Sequence, residues 1–414
     1  MELLRFFTAG NVDDGKSTLI GRLLYDSNSI STDIIETLTR QSKTTGANSE
    51  IDLALLTDGL RAEREQGITI DVAYKYFATD KRKFIIADTP GHIQYTRNMF
   101  TGASNADLAI ILIDARNGIR DQTKRHTIIS AILGIPYVLV CINKMDLIDF
   151  SEEKYKQIEE DYLAFSKQLD LKDIAFIPVS ALTGDNIVTK SKKMSWYKGK
   201  PLLDFLETVE IAETKKTEIS RFQVQYVIRP QTNELHDYRG FAGRVVSGEY
   251  RKGQDVTVLP LGIKTKIDKI EVNQKEVEFA ENNTPVILHL VDDVDISRGD
   301  SIVPSEHLPQ TQKELTATIC WMDNASYIPG QKILLQQNSF RTKAVVKEVI
   351  SKIDIHSFKP LESDGAMKLN DICKVVIKTA DPISFDSYFQ NRNSGSFILI
   401  NENTNNTIAA GTID

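Results

Sequence analysis

Gly10-Asn11-Val12-Asp13-Asp14-Gly15-Lys16-Ser17-Thr18 decides the fold, because it matches the phosphate-loop pattern G-x-x-x-x-G-K-[ST] between a strand and a helix. Before it, Leu3 to Thr8 reads as a buried strand. After it, Leu19, Ile20, Leu23 and Leu24 have the spacing of one helix face. In such a turn backbone N–H groups converge on phosphate oxygens, Lys16 brings a point charge to the β- and γ-phosphates, and the Ser17 hydroxyl is placed to ligate Mg²⁺. The same pattern fits an ordinary glycine-containing turn, so the rest of the chain has to decide between the two.

Four further motifs follow in order. Gly67-Ile68-Thr69-Ile70 offers a threonine whose hydroxyl can meet Mg²⁺ and whose N–H can meet the γ-phosphate, although these residues also read simply as a strand start. Asp88-Thr89-Pro90-Gly91-His92 ends the apolar run from Phe84 to Ala87. Its Asp88 carboxylate can hold Mg²⁺ through water, and Gly91 can present its N–H without a side chain in the way. His92 stands where a residue orients the attacking water, which makes it the catalytic candidate. Asn143-Lys144-Met145-Asp146 ends a third strand. A carboxylate there accepts from guanine N1–H and N2–H together, whereas adenine would leave it unpaired. Asn143 and Lys144 would fix the loop and cover the base plane. Ser180-Ala181-Leu182 can aim backbone N–H groups at guanine O6. Singly these patterns are modest. In this order, most of them at strand carboxyl ends, they specify a Mg²⁺-dependent GTP site with hydrolysis expected.

The bulk numbers exclude several classes. With 414 residues the chain is expected to form two or three domains. It is 41% hydrophobic and 26% charged, with no apolar run near the roughly 18 residues of a membrane span. Met1-Glu2-Leu3-Leu4-Arg5 leads straight into a strand, so no signal peptide is expected and a cytoplasmic location is the default. A net charge of −7 speaks against non-specific nucleic-acid binding. Cys141, Cys320 and Cys373 are far apart in apolar runs and read as small buried hydrophobes.

Strand and helix patterns alternate to about residue 210, through apolar runs at Leu108–Ile113, Tyr137–Ile142 and Ala175–Val179 and helical stretches at Gln122–Leu133, Ser151–Leu169 and Leu202–Val209. The expected fold is an α/β phosphate-loop GTPase domain with a mostly parallel sheet (1–212), followed by two all-β barrels (213–305 and 306–414). The charged stretch Ala212–Glu218 suits a linker, and Pro304–Gln312 a boundary between the barrels. Two readings of the long excursion over 26–64 stay open: an effector-facing region or a plain solvated insertion.

Five motifs followed by two barrels resemble the translation elongation-factor family of GTPases across the whole chain. Within it, Asn11–Asp26, Arg64–Tyr74, Phe84–His92 with Gln94–Met99, Gly184-Asp185-Asn186 and Trp196-Tyr197-Lys198-Gly199 are similar to one branch, the GTP-hydrolysing large subunits of bacterial sulfate adenylyltransferases. Translation factors commonly carry His where this chain has Asp14, which counts against aminoacyl-tRNA delivery, the competing reading. A GTPase with some other client is a third. The resemblance implies that GTP hydrolysis drives ATP and sulfate to adenosine 5′-phosphosulfate and pyrophosphate. It implies a separate small adenylyl-transferring subunit as partner, without nucleic acid or membrane. It also implies an apolar gate of Val12 and Ile68 beside His92, though both residues read equally well as core. Fused relatives carry a C-terminal kinase, which is not expected here. Ile93 and Phe100 depart from the branch and are expected to alter the partner contact.

Overall fold

The structure is a computed structural model and describes residues 2–30, 33, 35–36, 53–56, 71–92, 95–169, 171, 173–210, 219–230, 238–354, 359–363 and 365–414. Thr69, Ile68 and Ile93, the linker over 212–218 and most of the 26–64 excursion lie outside the described residues. The chain divides into two compact units, Met1–Ile211 with Asp354–Lys359 and Ala212–Ile353 with Pro360–Asp414.

The first unit is built on β1 (Glu2–Ala9), β2 (Ala73–Ala78), β3 (Arg82–Asp88), β4 (Leu108–Asp114), β5 (Tyr137–Asn143) and β6 (Asp173–Pro178). Their order in the sheet is β2-β3-β1-β4-β5-β6. Every pairing is parallel except β2 with β3. Helices α1 (Lys16–Asp26), α2 (Thr96–Ala103), α3 (Asp121–Ile132) and α4 (Glu152–Ser166) lie in the connections between strands, and α5 (Leu202–Thr208) follows β6. All seven residues of β4 are buried, as expected of a strand covered on both faces. One continuous core joins Leu4 and Phe6 of β1 to Leu19, Leu23, Ile110, Leu139 and Leu206.

The start of α4 follows ordinary capping chemistry. Ser151, read from sequence as the first residue of a helix, is its cap: the Ser151 hydroxyl accepts from Lys154 N at 3.3 Å, and Glu152 and Glu153 lie in the positive first turn. Strand β2 was not anticipated. It is an antiparallel edge strand with Tyr74 and Tyr76 turned outward, so the alternation that marks a half-buried strand is carried by exposed aromatic rings. Phe100, expected to alter the partner contact, is buried on α2.

In the second unit β7 (Arg221–Ile228), β8 (Gly240–Ser247), β10 (Asp255–Leu259), β11 (Ile263–Val272), β14 (Pro285–Leu290) and β15 (Ser301–Pro304) close into a six-stranded antiparallel barrel, sealed where β10 pairs β11. Short strands β9 (Glu249–Arg251) and β13 (Phe279–Glu281) pair beside it, and β12 (Lys275–Val277) extends β11. A second six-stranded barrel consists of β16 (Gln310–Trp321), β17 (Ile333–Gln337), β18 (Phe340–Ile353), β20 (Ile372–Phe385), β21 (Ser396–Asn401) and β22 (Thr407–Ile413), sealed by β17 on β18, with β19 (Pro360–Glu362) added outside. Closure removes exposed sheet edges. Each barrel has its own apolar filling, Phe222, Val256 and Leu288 in the first and Trp321, Val375 and Leu399 in the second.

The two barrels are joined by a buried ion pair. Arg221 donates through Nε and Nη2 to both Asp386 oxygens at 2.8 and 2.7 Å, and through Nη1 to the carbonyls of Ser220 and His307. Ser394 Oγ donates to the same carboxylate at 2.6 Å, and the Ser339 hydroxyl and amide hold Gln223. Removing one partner of such a pair strands a desolvated charge. Asp386→Ala is expected to destabilise the barrel unit by about 3–5 kcal/mol, measured as the shift in denaturant midpoint followed on the buried Trp321.

Candidate functional site

All five parallel strands deliver their carboxyl ends to one edge of the sheet, and strand order reverses about β1 there. The phosphate loop leaves β1 after Ala9 and enters α1 at Lys16, with Asp13 at φ 69° and Gly15 at φ 92°. A side chain on Gly15 would lie 2.5 Å from Asn143 Nδ2, so that position combines a left-handed backbone with close approach.

Lys16 is buried, and its Nζ donates to the carbonyls of Gly10 at 3.0 Å and Asn11 at 3.1 Å. Burial pulls its pKa below the ordinary lysine value, against the opposing pull of Asp88, Asp14 and Asp13. A polyphosphate at this loop relieves the same desolvation. Asp14 is 2% exposed. Burial raises its pKa, while hydrogen bonds from Asn11 and the charge of Lys16 work the other way. Asn11 donates to Asp14 Oδ2 from its backbone N at 2.7 Å and from Nδ2 at 3.0 Å. Sequence reasoning gave Asp14 a diagnostic value only. In the fold its carboxylate fastens the first turn of the loop, and Asn11 Nδ2 passes the link on to Thr123 of α3 at 3.3 Å.

Asp88, at the end of β3, is 1% exposed and accepts from the Thr8 hydroxyl at 3.1 Å. The Thr89 hydroxyl donates to Thr8 O at 2.6 Å, which ties this turn back to β1. Pro90 and Gly91 are buried. A Cβ on Gly91 would fall inside contact distance of Gly10 O and Lys16 Nζ, so the two phosphate-facing turns touch only because position 91 has no side chain. His92 is half-buried, with its ring centroid 5.9 Å from that of Tyr95. Val12 is half-buried. Ser17 and Thr18, also half-buried, open α1.

The base-facing loops are tied to the phosphate loop by one side chain. Asn143 Nδ2 donates to Asp14 O at 2.8 Å, and Asn143 Oδ1 accepts from Ala181 N at 2.9 Å. Lys144 follows in the left-handed region at φ 63°, and Met145 and Asp146 start a 3₁₀ turn over Met145–Ile148. Met145 is fully buried, which anchors the turn. Asp146 accepts from the Ser180 hydroxyl at 2.6 Å, so its carboxylate is held in place on one side. Leu182 is exposed, and Arg22 of α1 donates to its carbonyl and, at 3.2 Å, to that of Ala181. Arg22 was not foreseen, because nothing in its local sequence says that α1 packs beside residues 160 positions away.

The site thus brings together Gly10–Thr18, Asp88–His92, Asn143–Asp146 and Ser180–Leu182. Residues 1–215 match the elongation factor Tu GTP-binding domain family, and residues 314–414 match the C-terminal domain family of GTP-eEF1A. Over all 414 residues the chain is 52% identical to sulfate adenylyltransferase subunit 1 of Alteromonas mediterranea, covering 87% of that protein. The chain belongs to the sulfate adenylyltransferase subunit 1 family. The bifunctional enzyme CysN/CysC of Mycobacterium tuberculosis is 49% identical over 412 residues, 99% of this chain and 67% of that one. The GTP-bound GTPase-like domain of S. cerevisiae Ski7 superposes with a TM-score of 0.53 at 17% identity, covering 100% of this chain and 97% of that one, and shares the fold. The chain is thus a GTPase of elongation-factor architecture, with the GTP-binding domain first and the barrels after it.

The closeness of Gly91 to the phosphate loop gives a direct test. Gly91→Ala is expected to weaken GTP binding by at least about tenfold, since a clash with the Gly10 carbonyl has to be relieved by moving backbone. Titration of the variant with a fluorescent GTP analogue measures the loss.

Proposed function

We propose that the chain is the GTP-hydrolysing regulatory subunit of a sulfate adenylyltransferase. In this reading GTP hydrolysis drives ATP and sulfate to adenosine 5′-phosphosulfate and pyrophosphate, with adenylyl transfer on a separate small subunit. The observation that carries it is a guanine-type site, with Asp146 held by Ser180, in a chain aligned along its whole length with subunit 1 relatives. Asp14, standing where translation factors commonly carry His, argues against the translation-factor alternative, and two bonds from Asn11 build its carboxylate into the loop.

Each site residue has a role in this proposal. Gly10, Asn11, Val12, Asp13, Asp14, Gly15, Lys16, Ser17 and Thr18 cradle the phosphates with Asp88, Thr89, Pro90 and Gly91. Asn143, Lys144, Met145 and Asp146 select guanine, joined by the backbone of Ser180, Ala181 and Leu182. His92 orients the attacking water, with Tyr95 supporting its ring.

Magnesium fits the donor set. Asp88 is a buried carboxylate that acts on Lys16, and the hydroxyl of Ser17 opens the adjoining helix. Among the described residues no group of three or more His, Cys, Asp or Glu side chains gathers to hold a metal. That suits an ion that keeps water and phosphate oxygens as most of its ligands. Ser17 and Asp88 would hold it, with Thr69 as the third protein group, and the bound ion neutralises phosphate charge.

The proposal takes domain limits at 212/213 and 305/306 and a cytoplasmic location. Among the described residues no helix is long and apolar enough to cross a membrane.

The test is co-purification with the candidate small subunit, followed by pyrophosphate release from ATP and sulfate with and without GTP. Stimulation by GTP is expected. Its absence together with tight aminoacyl-tRNA binding would refute the reading. His92→Ala is expected to slow GTP hydrolysis by about a hundredfold while GTP affinity stays within about a factor of two. A collapse of affinity in a binding titration would make His92 structural.

A further inference from the structure

Asp114 and Arg116 have no place in the site described so far, yet they stand against it. The register of β4 on β5 sets Asp114 directly opposite Asn143, and Ala115 N donates to Asn143 O at 2.9 Å. Asp114 is 2% exposed, so its carboxylate needs strong partners. On one side is Arg116, which donates from Nε to Oδ1 at 3.0 Å, from Nη2 to Oδ2 at 2.6 Å and from its backbone N to Oδ1 at 2.9 Å. On the other side is Lys144, whose Nζ lies 3.1 Å from Oδ2.

Lys144 is the residue that matters. A lysine in the left-handed region costs backbone energy, and its long stem carries about 2 kcal/mol of rotamer freedom. The ammonium contact to Asp114 works against both. It fixes the far end of the stem and holds a backbone turn whose second residue onward is Asp146. The influence of Arg116 also extends to Asp146, whose negative charge acts on the guanidinium.

We propose that Asp114 is a positioning residue for guanine recognition: clamped by Arg116, it pins the Lys144 ammonium so that the lysine stem lies over the base and Asp146 keeps its aim. This rests on the guanine reading of the site. Burial alone would raise the Asp114 pKa, but the bonds from Arg116 and Lys144 outweigh it and hold it at about 2, so the clamp stays charged throughout the neutral range.

A base-positioning role differs from a purely structural one in what it leaves alone. GDP and GTP share the base, so Asp114→Asn is expected to weaken both equally, by about tenfold, the loss of one hydrogen bond to a charged group. A disturbed phosphate loop would instead affect the two nucleotides unequally. Because Asp114 acts through Lys144, the losses do not multiply: Asp114→Asn added to Lys144→Met is expected to cost less than about twofold beyond Lys144→Met alone. The measurement is competition of unlabelled GDP and GTP against a fluorescent guanine nucleotide on the full chain, with circular dichroism to verify folding. If Asp114→Asn does not fold, Arg116→Met carries the test. Arg116 is exposed on its outer side, and its loss should weaken both nucleotides by an equal factor of about three.

Wild-type affinity in folded Asp114→Asn overturns the proposal, as does wild-type affinity in Arg116→Met. So do losses that multiply in the double variant, or a loss much larger for GTP than for GDP. A wild-type chain that binds neither nucleotide would overturn the guanine reading itself, and this inference with it.

Discussion

The structure depends most on the two hydrogen bonds of Asn143. One reaches Asp14 in the phosphate loop and the other Ala181 in the last base-facing loop. Three turns that leave different strands are thereby held in one arrangement by a single amide. Such a bond network in a buried setting is worth more than its parts, because each donor left unmatched would carry a desolvation cost. The left-handed Gly15 follows from it, since only a residue without Cβ admits Asn143 Nδ2 so close to the loop. Parallel strand order supplies the rest by bringing every turn to the same edge.

Around this frame the charges are unevenly buried. Lys16 is desolvated among Asp13, Asp14 and Asp88, and two of those carboxylates, Asp14 and Asp88, are themselves almost fully covered. Negative charge near a phosphate-binding cation costs affinity in principle. Here Asp14 is turned back onto Asn11 by two donors, and Asp88 is met by the Thr8 hydroxyl. Asp14 is therefore committed to shaping its turn. Fixed dipoles and one cation are left facing the sheet edge, an arrangement suited to a polyanion.

The order of motifs and their places at strand ends were legible from sequence because both depend on short-range pattern: an unbroken apolar run, then glycine or a polar turn. The two barrels were legible from strand spacing. What escaped was set by register between distant segments. Asp114 gains its meaning from lying opposite Asn143, and Arg22 from reaching the loop over 181–182. Strand β2 escaped because Tyr74 and Tyr76 face outward, where aromatic rings usually signal a core. The burial of Phe100 escaped too, because its neighbours in sequence did not reveal that its side of α2 turns inward.

Arg221 and Asp386 lock the two barrels together through a buried, doubly hydrogen-bonded ion pair. The guanidinium is satisfied from both sides, by the Ser220 carbonyl beside its own strand and by Asp386 across the seam. A spectroscopic label on either barrel is therefore expected to report a common tumbling of both.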